Sequence, residues 1–515
     1  MSPHQPAREI ELKLRVAPDA LRRLAAHSLM KGAGRPVTER LRSIYFDTPA
    51  LDLRRLGIAL RVRNVGGRWV QTVKGGGGTV HAGLHDRAEC EAQVGGPEPE
   101  IDRIHDKMLA RALSPQRIRD ELKPVFVTDF RRSRRLLALA RGTSVEASID
   151  HGVIQSGRHR DRFAELELEL KSGDSSELYQ LALKLQQEVP LALESRSKAA
   201  RGYALHHAER LCPVKARAAD LGPEMTVGDA FAAVMWASLA HLDANETGML
   251  EGKDPEFLHQ MRVALRRLRS ALSVFSPPVP ETEATPLAKE LKWLASCLGP
   301  ARDWDVFATE TLPPIDAEFG THGELRAFST RCRELRRQAN TKARRAVRAV
   351  RYQRLVLRLA GWIAAEVWHA KPQNMPADDL RKPVSEFATA VLEQRYRQVC
   401  RRGRRLDERS PAELHKLRIA IKKFRYATDF FASLYEGKTA RDTLKRLGDL
   451  QDILGTMNDA ATVSSLIRQG FTGFRARPVL EARGILLGWS RGRAVTLKRE
   501  LKRVWKAFRA AERFW

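Results

Sequence analysis

Glu9, Ile10, Glu11, Leu12, Lys13, Leu14 and Arg15 alternate charged with aliphatic side chains without a break. A period of two sends successive side chains to opposite faces, so this segment reads as a strand with every charge on one face. Residues 163–171 repeat the pattern, with Glu165, Glu167 and Glu169 on one face and leucines on the other. Three carboxylates stacked along one strand repel each other unless a cation neutralises them, and a hard divalent metal with oxygen ligands does so. Basic segments of the same period lie between these two: Arg61 and Arg63, then Lys74 ahead of a glycine run, then Arg87 with Glu89 and Glu91. One such strand alone fits a solvated sheet face. Recurrence over five strands points instead to an inward set, a barrel lumen with a cation-binding wall and phosphate-binding walls.

The chain has 515 residues, too many for one core, and its period changes along the way. Up to about Tyr203 alternating strands mix with turns and short helical pieces; from about Val227 nearly all periodicity is helical. The expected organisation is a domain over 1–206, a proline- and glycine-marked linker over 207–226 and a helical domain over 227–515. Within the last, His259, Arg262, Leu265, Arg266 and Arg269 recur as His415, Arg418, Ile421, Lys422 and Arg425 at an offset of 156 residues (415 − 259). Leu298, Gly299 and Asp303 recur as Leu454, Gly455 and Asp459 at the same offset. The helical half therefore reads as a duplicated unit, with repeats over about 227–382 and 383–515.

Each repeat carries an apolar helical stripe beside a basic one: His259, Arg262, Arg266 and Arg269, then His415, Arg418, Lys422 and Arg425. A solvated basic face usually explains a single charge run, but it does not explain why both copies lack acidic partners at i+4. The net charge of +28 favours polyanionic partners: nucleic acid, an anionic membrane or phosphate chains. No signal peptide and no apolar run of membrane-spanning length is evident. The five cysteines are scattered and unpaired by motif, which reads as reduced thiols in a cytoplasmic protein without a zinc site. There is no P-loop and no nucleophile elbow, and Gly75 to Gly78 is expected to be a hairpin loop.

The first half resembles the CYTH family of triphosphate tunnel enzymes. The likeness is carried by Glu9, Glu11 and Lys13, by Tyr45 to Thr48, Leu60 to Arg63, Trp69, Gln71 and Lys74, and by Arg87, Glu89 and Glu91. It continues through Phe126, Thr128, Asp129, Phe130 and Arg132, Asp150 and Gly152, the 165–170 strand, and Ser197 to Tyr203. The resemblance implies an α+β antiparallel β-barrel tunnel that cleaves or transfers a phosphoryl group with Mg²⁺ or Mn²⁺. Carried over, Glu9, Glu11, Asp150, Glu165 and Glu167 hold metal, with Asp150 completing the shell or orienting water. Lys13, Arg61, Arg63, Lys74, Arg87, Arg132 and Lys198 grip phosphate oxygens; Glu9, Glu11, Lys13 and Asp150 form the catalytic set. Arg135 departs from the aromatic common in the family, and Arg42 is of open parity.

The second half resembles the CHAD family, an all-α bundle of two repeats, which implies polyphosphate binding by the two histidine-led basic faces. The leading expectation is a metal-dependent triphosphatase, most simply of inorganic triphosphate, coupled to a polyphosphate-binding domain. Association with polyphosphate granules and secondary binding of nucleic acid go with it. The other readings are thiamine triphosphate hydrolysis, cyclisation of ATP, or a non-catalytic polyphosphate scaffold. Oligomeric state is not legible.

Overall fold

The computed structural model describes residues 8–208, 210–276, 279, 281–319, 323–369, 378–435, 439–470 and 477–515. Contacts divide the chain into two compact units, Met1–Leu211 with Val350–Ala365, and Cys212–Ala349 with Glu366–Trp515.

The first unit is an antiparallel barrel of β1 (Arg8–Val16), β2 (Val37–Asp47), β3 (Ala59–Val65), β4 (Arg68–His81), β5 (Leu84–Val94), β6 (Lys123–Ala138), β7 (Ser144–Ser156) and β8 (His159–Ser172). The strand order is β5-β4-β3-β2-β6-β7-β8-β1, and pairing of β1 with β5 closes it; β9 (Leu191–Leu193) adds to β1. Closure leaves only an inside and an outside, so each strand's alternation becomes a lumen face and an outer face. On the outside, Phe46, Leu60, Val62 and Val73 pack with Ile101, Leu109 and Leu113 from the 101–121 connection. Gln71 turns outward and clamps Glu100, its amide donating to the carbonyl at 3.0 Å and its oxygen accepting from the Glu100 N–H at 2.7 Å.

Tyr45, Phe126, Phe130 and Phe163 are buried in one cluster with Ala199 and Tyr203. Helix α1 (Ser176–Leu185) lies between β8 and β9, and α2 (Lys198–His206) lies against β6 and β7. Gly202 allows that packing: a Cβ there would sit 2.2 Å from the Phe126 ring. Asp47 caps the short helix at 52–55 through the Leu53 and Arg54 N–H groups at 2.9 and 3.0 Å, and accepts from the Tyr203 hydroxyl at 2.9 Å. The Tyr45 to Thr48 motif is thus largely a scaffold device.

One expectation needs correcting, and one open position is settled. Gly75 to Gly78 is not a hairpin loop: β4 runs on through it with a register shift between Gly75 and Thr79, and the turn comes at Ala82–Gly83. Arg42 is settled by parity as an exposed residue of the outer wall. Arg135 reaches the Gly34 carbonyl at 3.3 Å, away from the lumen.

The second unit is helical: α3 (Val227–Ala244), α4 (Glu256–Val274), α5 (Glu281–Val306) and α6 (Gly323–Arg348), then α8 (Val384–Arg402), α9 (Pro411–Phe431), α10 (Thr439–Gly470) and α11 (Arg477–Arg509). The helix between these sets, α7 (Val350–Ala364), belongs to the first unit and packs on α1 and β9. The offset of 156 carries α3 to α8, α4 to α9, α5 to α10 and α6 to α11, so the duplication is structural. α4 and α9 are in contact, with Arg266 donating to the Tyr426 hydroxyl at 2.9 Å and buried Arg267 paired with Asp429. The 212–226 segment is pinned to this unit, Val214 by Asn245 and Leu221 by Ser433. Among the described residues no helix is long and apolar enough to cross a membrane.

Candidate functional site

The barrel lumen holds a cavity of about 490 Å³ lined by Glu9, Glu11, Lys13, Arg61, Arg63, Lys74, Arg87, Arg132, Glu167 and Lys198, all assigned from sequence. Register explains their meeting. Lys13 faces Glu167 across β1 and β8, Asp150 faces Glu165 across β7 and β8, and Arg132 faces Asp150 across β6 and β7. Lys198 arrives from another direction, on the first turn of α2, whose start is capped by the Ser197 hydroxyl accepting from Ala200 N–H at 3.1 Å.

These groups form one network. Lys13 pairs with Glu11 at 2.8 Å and with Glu167. Lys198 pairs with Asp150 at 2.7 Å, with Glu167 at 3.0 Å and with Glu165. Arg132 donates bidentately to Asp150 at 2.8 and 2.6 Å and also reaches Glu167. Glu9 and Glu11 have other partners: Lys74 lies 2.5 Å from Glu9, and Arg87 lies 3.0 Å from Glu11. Of the five carboxylates assigned to metal, Asp150, Glu165 and Glu167 converge, each offering an oxygen within 4.8 Å of the others. Glu9 and Glu11 are not in that group, although Lys13 bridges Glu11 to Glu167.

The electrostatics follow. Burial, then Glu167 and Asp150, raise Glu165 against the pull of Lys198. Burial also acts to raise Glu167, but Lys13, Lys198 and Arg132 outweigh it and hold the carboxyl well below its usual range. Glu9 is raised by burial and by Glu11, whereas Glu11 is held down by Lys13, Lys74 and Arg87 despite its burial. Arg63 is pushed down to about 9 by burial and by the charges of Arg61 and Arg132. Its one hydrogen bond is to the Ser43 hydroxyl at 3.1 Å, and no carboxylate pairs with it among the described residues. A buried guanidinium crowded by like charge is what an anion site looks like before the anion arrives.

The trio fits a hard divalent ion. Its donors are all oxygens, and the Oε2 of Glu165 is buried without a hydrogen-bond partner. Sequence reasoning missed several lining residues. Tyr45, Glu89 and Glu91 lie in the motifs without a role of their own; Glu146 and Lys171 have none either, although parity with Asp150 and Glu169 marks them.

In the helical unit the histidine-led helices are α4 and α9. His259 is half-buried, and burial with Arg302, Arg266 and Arg262 lowers it to about 4. Arg262 lies over Gly299, where a Cβ would come within 3.2 Å of its guanidinium, and Arg418 lies over Gly455 at 3.7 Å. Burial raises the Asp303 carboxyl against the pull of Arg262 and Arg302; the side chain of Asp459 lies outside the described residues. His415 is exposed, with Nδ1 2.8 Å from Asn458, Arg425 donates to Gln451 at 2.9 Å, and Arg269 is exposed.

Residues 7–203 match the CYTH domain family, and residues 233–468 match the CHAD domain family. The chain is a CYTH–CHAD protein. Its CYTH region is similar to an inorganic triphosphatase of Haemophilus influenzae, 32% identical over 199 residues, which are 38% of this chain and 54% of that one. The chain thus spans about half the length of that curated relative. An uncharacterized protein of Mycobacterium tuberculosis is 25% identical over 447 residues, 81% of this chain and 80% of the other. The crystal structure of the CHAD domain from the plant Ricinus communis is 30% identical with a TM-score of 0.51, covering 58% of this CYTH–CHAD chain and 98% of that one.

Proposed function

We propose that this CYTH–CHAD protein hydrolyses inorganic triphosphate in the barrel lumen, with Mg²⁺ or Mn²⁺, and binds longer polyphosphate on its CHAD domain. The observation that carries the reading is the lumen itself: three buried, converging carboxylates within a ring of lysines and arginines that has more cationic groups than the trio needs. Phosphoryl transfer asks for positioning and charge neutralisation more than for covalent chemistry. Arg61, Arg63, Arg87 and Arg132 present forks to phosphate edges, while Lys13, Lys74 and Lys198 act as point charges. Asp150 has both oxygens engaged by Arg132 and Lys198, so in this reading it fixes those two cations as well as joining the metal set. Asp150, Glu165 and Glu167 would hold the ion, with Glu9 and Glu11 completing the acidic wall. A bound divalent ion supplies Lewis-acid neutralisation of phosphate oxygens and lowers the pKa of water. Among the described residues the lining is charged around almost its whole circumference, with Tyr45 and Phe130 its only aromatic members, which favours an inorganic chain over a nucleoside triphosphate.

Glu9→Ala with Glu11→Ala is expected to abolish metal-dependent phosphate release from tripolyphosphate while retention on long-chain polyphosphate stays intact. Turnover equal to the wild type in that double variant rules the reading out.

The CHAD half makes a second expectation. His259 is neutral near pH 7, and a bound phosphate chain offsets the repulsion from Arg262, Arg266 and Arg302 and so raises its pKa. Binding then takes up a proton, and affinity for polyphosphate should increase as pH falls from about 7 to about 5. Titration calorimetry on wild type and His259→Ala checks this: the variant's affinity should respond less to pH. Equal responses in the two proteins contradict a phosphate contact at His259.

A further inference from the structure

The two CHAD repeats share a basic face but differ at the end of their first helix. In the first repeat that end, around α3, is sealed by the chain itself. Asn245 donates to the Val214 carbonyl at 2.9 Å and accepts from the Val214 N–H at 3.0 Å, and His241 Nε2 lies 3.1 Å from the same carbonyl. At the 156-residue offset, His241 becomes Arg397, Asn245 becomes Arg401 and Gly248 becomes Arg404. The end of α8 therefore offers guanidinium groups where α3 offers a backbone clamp.

Together with Tyr396 and Trp505 these arginines line a cavity of about 710 Å³ in the second repeat. Arg397 is paired with Glu393 at 2.6 Å. Arg401 and Arg404 are exposed and form no ion pair among the described residues. Two guanidiniums on one rim repel each other, and an anion between them relieves that repulsion. Their planar forks suit phosphate oxygens. The aromatic wall narrows the choice of anion. The face of Tyr396 already carries the Arg513 guanidinium at 5.2 Å, whereas the half-buried indole of Trp505, its six-membered ring against Gly403, lines the same cavity. A base stacks on an indole, whereas an inorganic phosphate chain has no ring to place there.

We propose that this pocket binds a nucleotide unit, with phosphate on Arg401 and Arg404 and the base against Trp505. It gives the second repeat a nucleotide or single-stranded nucleic-acid site separate from the face that both repeats share, and it does not depend on the lumen chemistry. The test uses the full chain in EDTA with fluorescent oligo-dT over a salt series. R401E/R404E should weaken binding at least about tenfold and reduce the slope of log affinity against log salt by about 1.4, for two phosphate contacts. An unchanged melting temperature is the folding control. Trp505→Leu keeps the arginines and should erase the preference for oligo-dT over an abasic chain of the same length. Competition by adenosine monophosphate assigns the site to free nucleotides, and its failure beside bound oligo-dT assigns it to the polymer. The proposal is overturned if R401E/R404E binds oligo-dT as the wild type does, if the wild type does not bind it, or if the abasic chain competes equally well.

Discussion

Lys198→Met is expected to reduce tripolyphosphate turnover by at least about a thousandfold and to destabilise the metal-free barrel. The Lys198 ammonium touches Asp150, Glu165 and Glu167 at once, and these groups are 0, 1 and 7% exposed. Removing one member of a buried ion cluster leaves uncompensated charge, which costs about 3–5 kcal/mol, a large share of a domain's stability. Methionine keeps most of the side-chain volume, so the loss reports charge rather than a cavity. Mg²⁺ binds the folded carboxylates and not the unfolded chain, so it should restore part of the melting temperature of the variant and shift the wild type less. Thermal denaturation of both proteins in EDTA and in Mg²⁺ measures this. Equal melting temperatures in EDTA would mean that the ammonium does not hold the acidic trio together.

A chain ending at Leu211 is expected to express the barrel as an aggregating or poorly folded species, although it contains every CYTH motif. The reason is α7, at 350–364, which packs on α1 and β9 within the first unit. Its Leu355, Val356, Leu357, Leu359, Trp362 and Ile363 are all buried. At about 1.5–3 kcal/mol for each large apolar side chain, those that meet α1 and β9 contribute several kcal/mol before the ordering entropy of the helix is subtracted. That is comparable to the whole stability of a typical domain. β9 is the strand through which the effect would reach the lumen, because it pairs with β1 at Leu14, Arg15 and Val16, next to Lys13. Fusing residues 350–365 to the truncated chain through a flexible linker should recover solubility and a cooperative melt. A soluble, cooperatively folding 1–211 fragment would show that α7 is dispensable.

The lumen residues were legible because their signal is local. Alternation alone separates Glu9, Glu11 and Lys13 from Ile10, Leu12 and Leu14, and the same parity holds for Arg61, Arg63 and Arg87. It extends to Glu146, to which no motif draws attention. The helical duplication was equally accessible, since a fixed offset survives in residue identities, and the matching helices bear it out. The glycine run misled for a physical reason: glycine favours turns, yet four in a row also let β4 shift register and continue.

Three things were out of reach of local pattern. Which carboxylates converge depends on barrel closure and stagger: Glu165 and Glu167 meet Asp150 through β7, while Glu9 and Glu11, on an equally acidic strand, are drawn to Lys74, Lys13 and Arg87. Lys198 enters the network from a helix start rather than from a strand, so no strand parity points to it. The placement of α7 with the barrel rests on contacts to residues more than 150 positions earlier in the chain, which its amphipathic period cannot specify. Periodicity decides which face a side chain takes, because that is set by neighbours one or two residues away. Which faces meet is decided only when distant strands and helices close on one another, and that is where this protein's candidate metal centre is made.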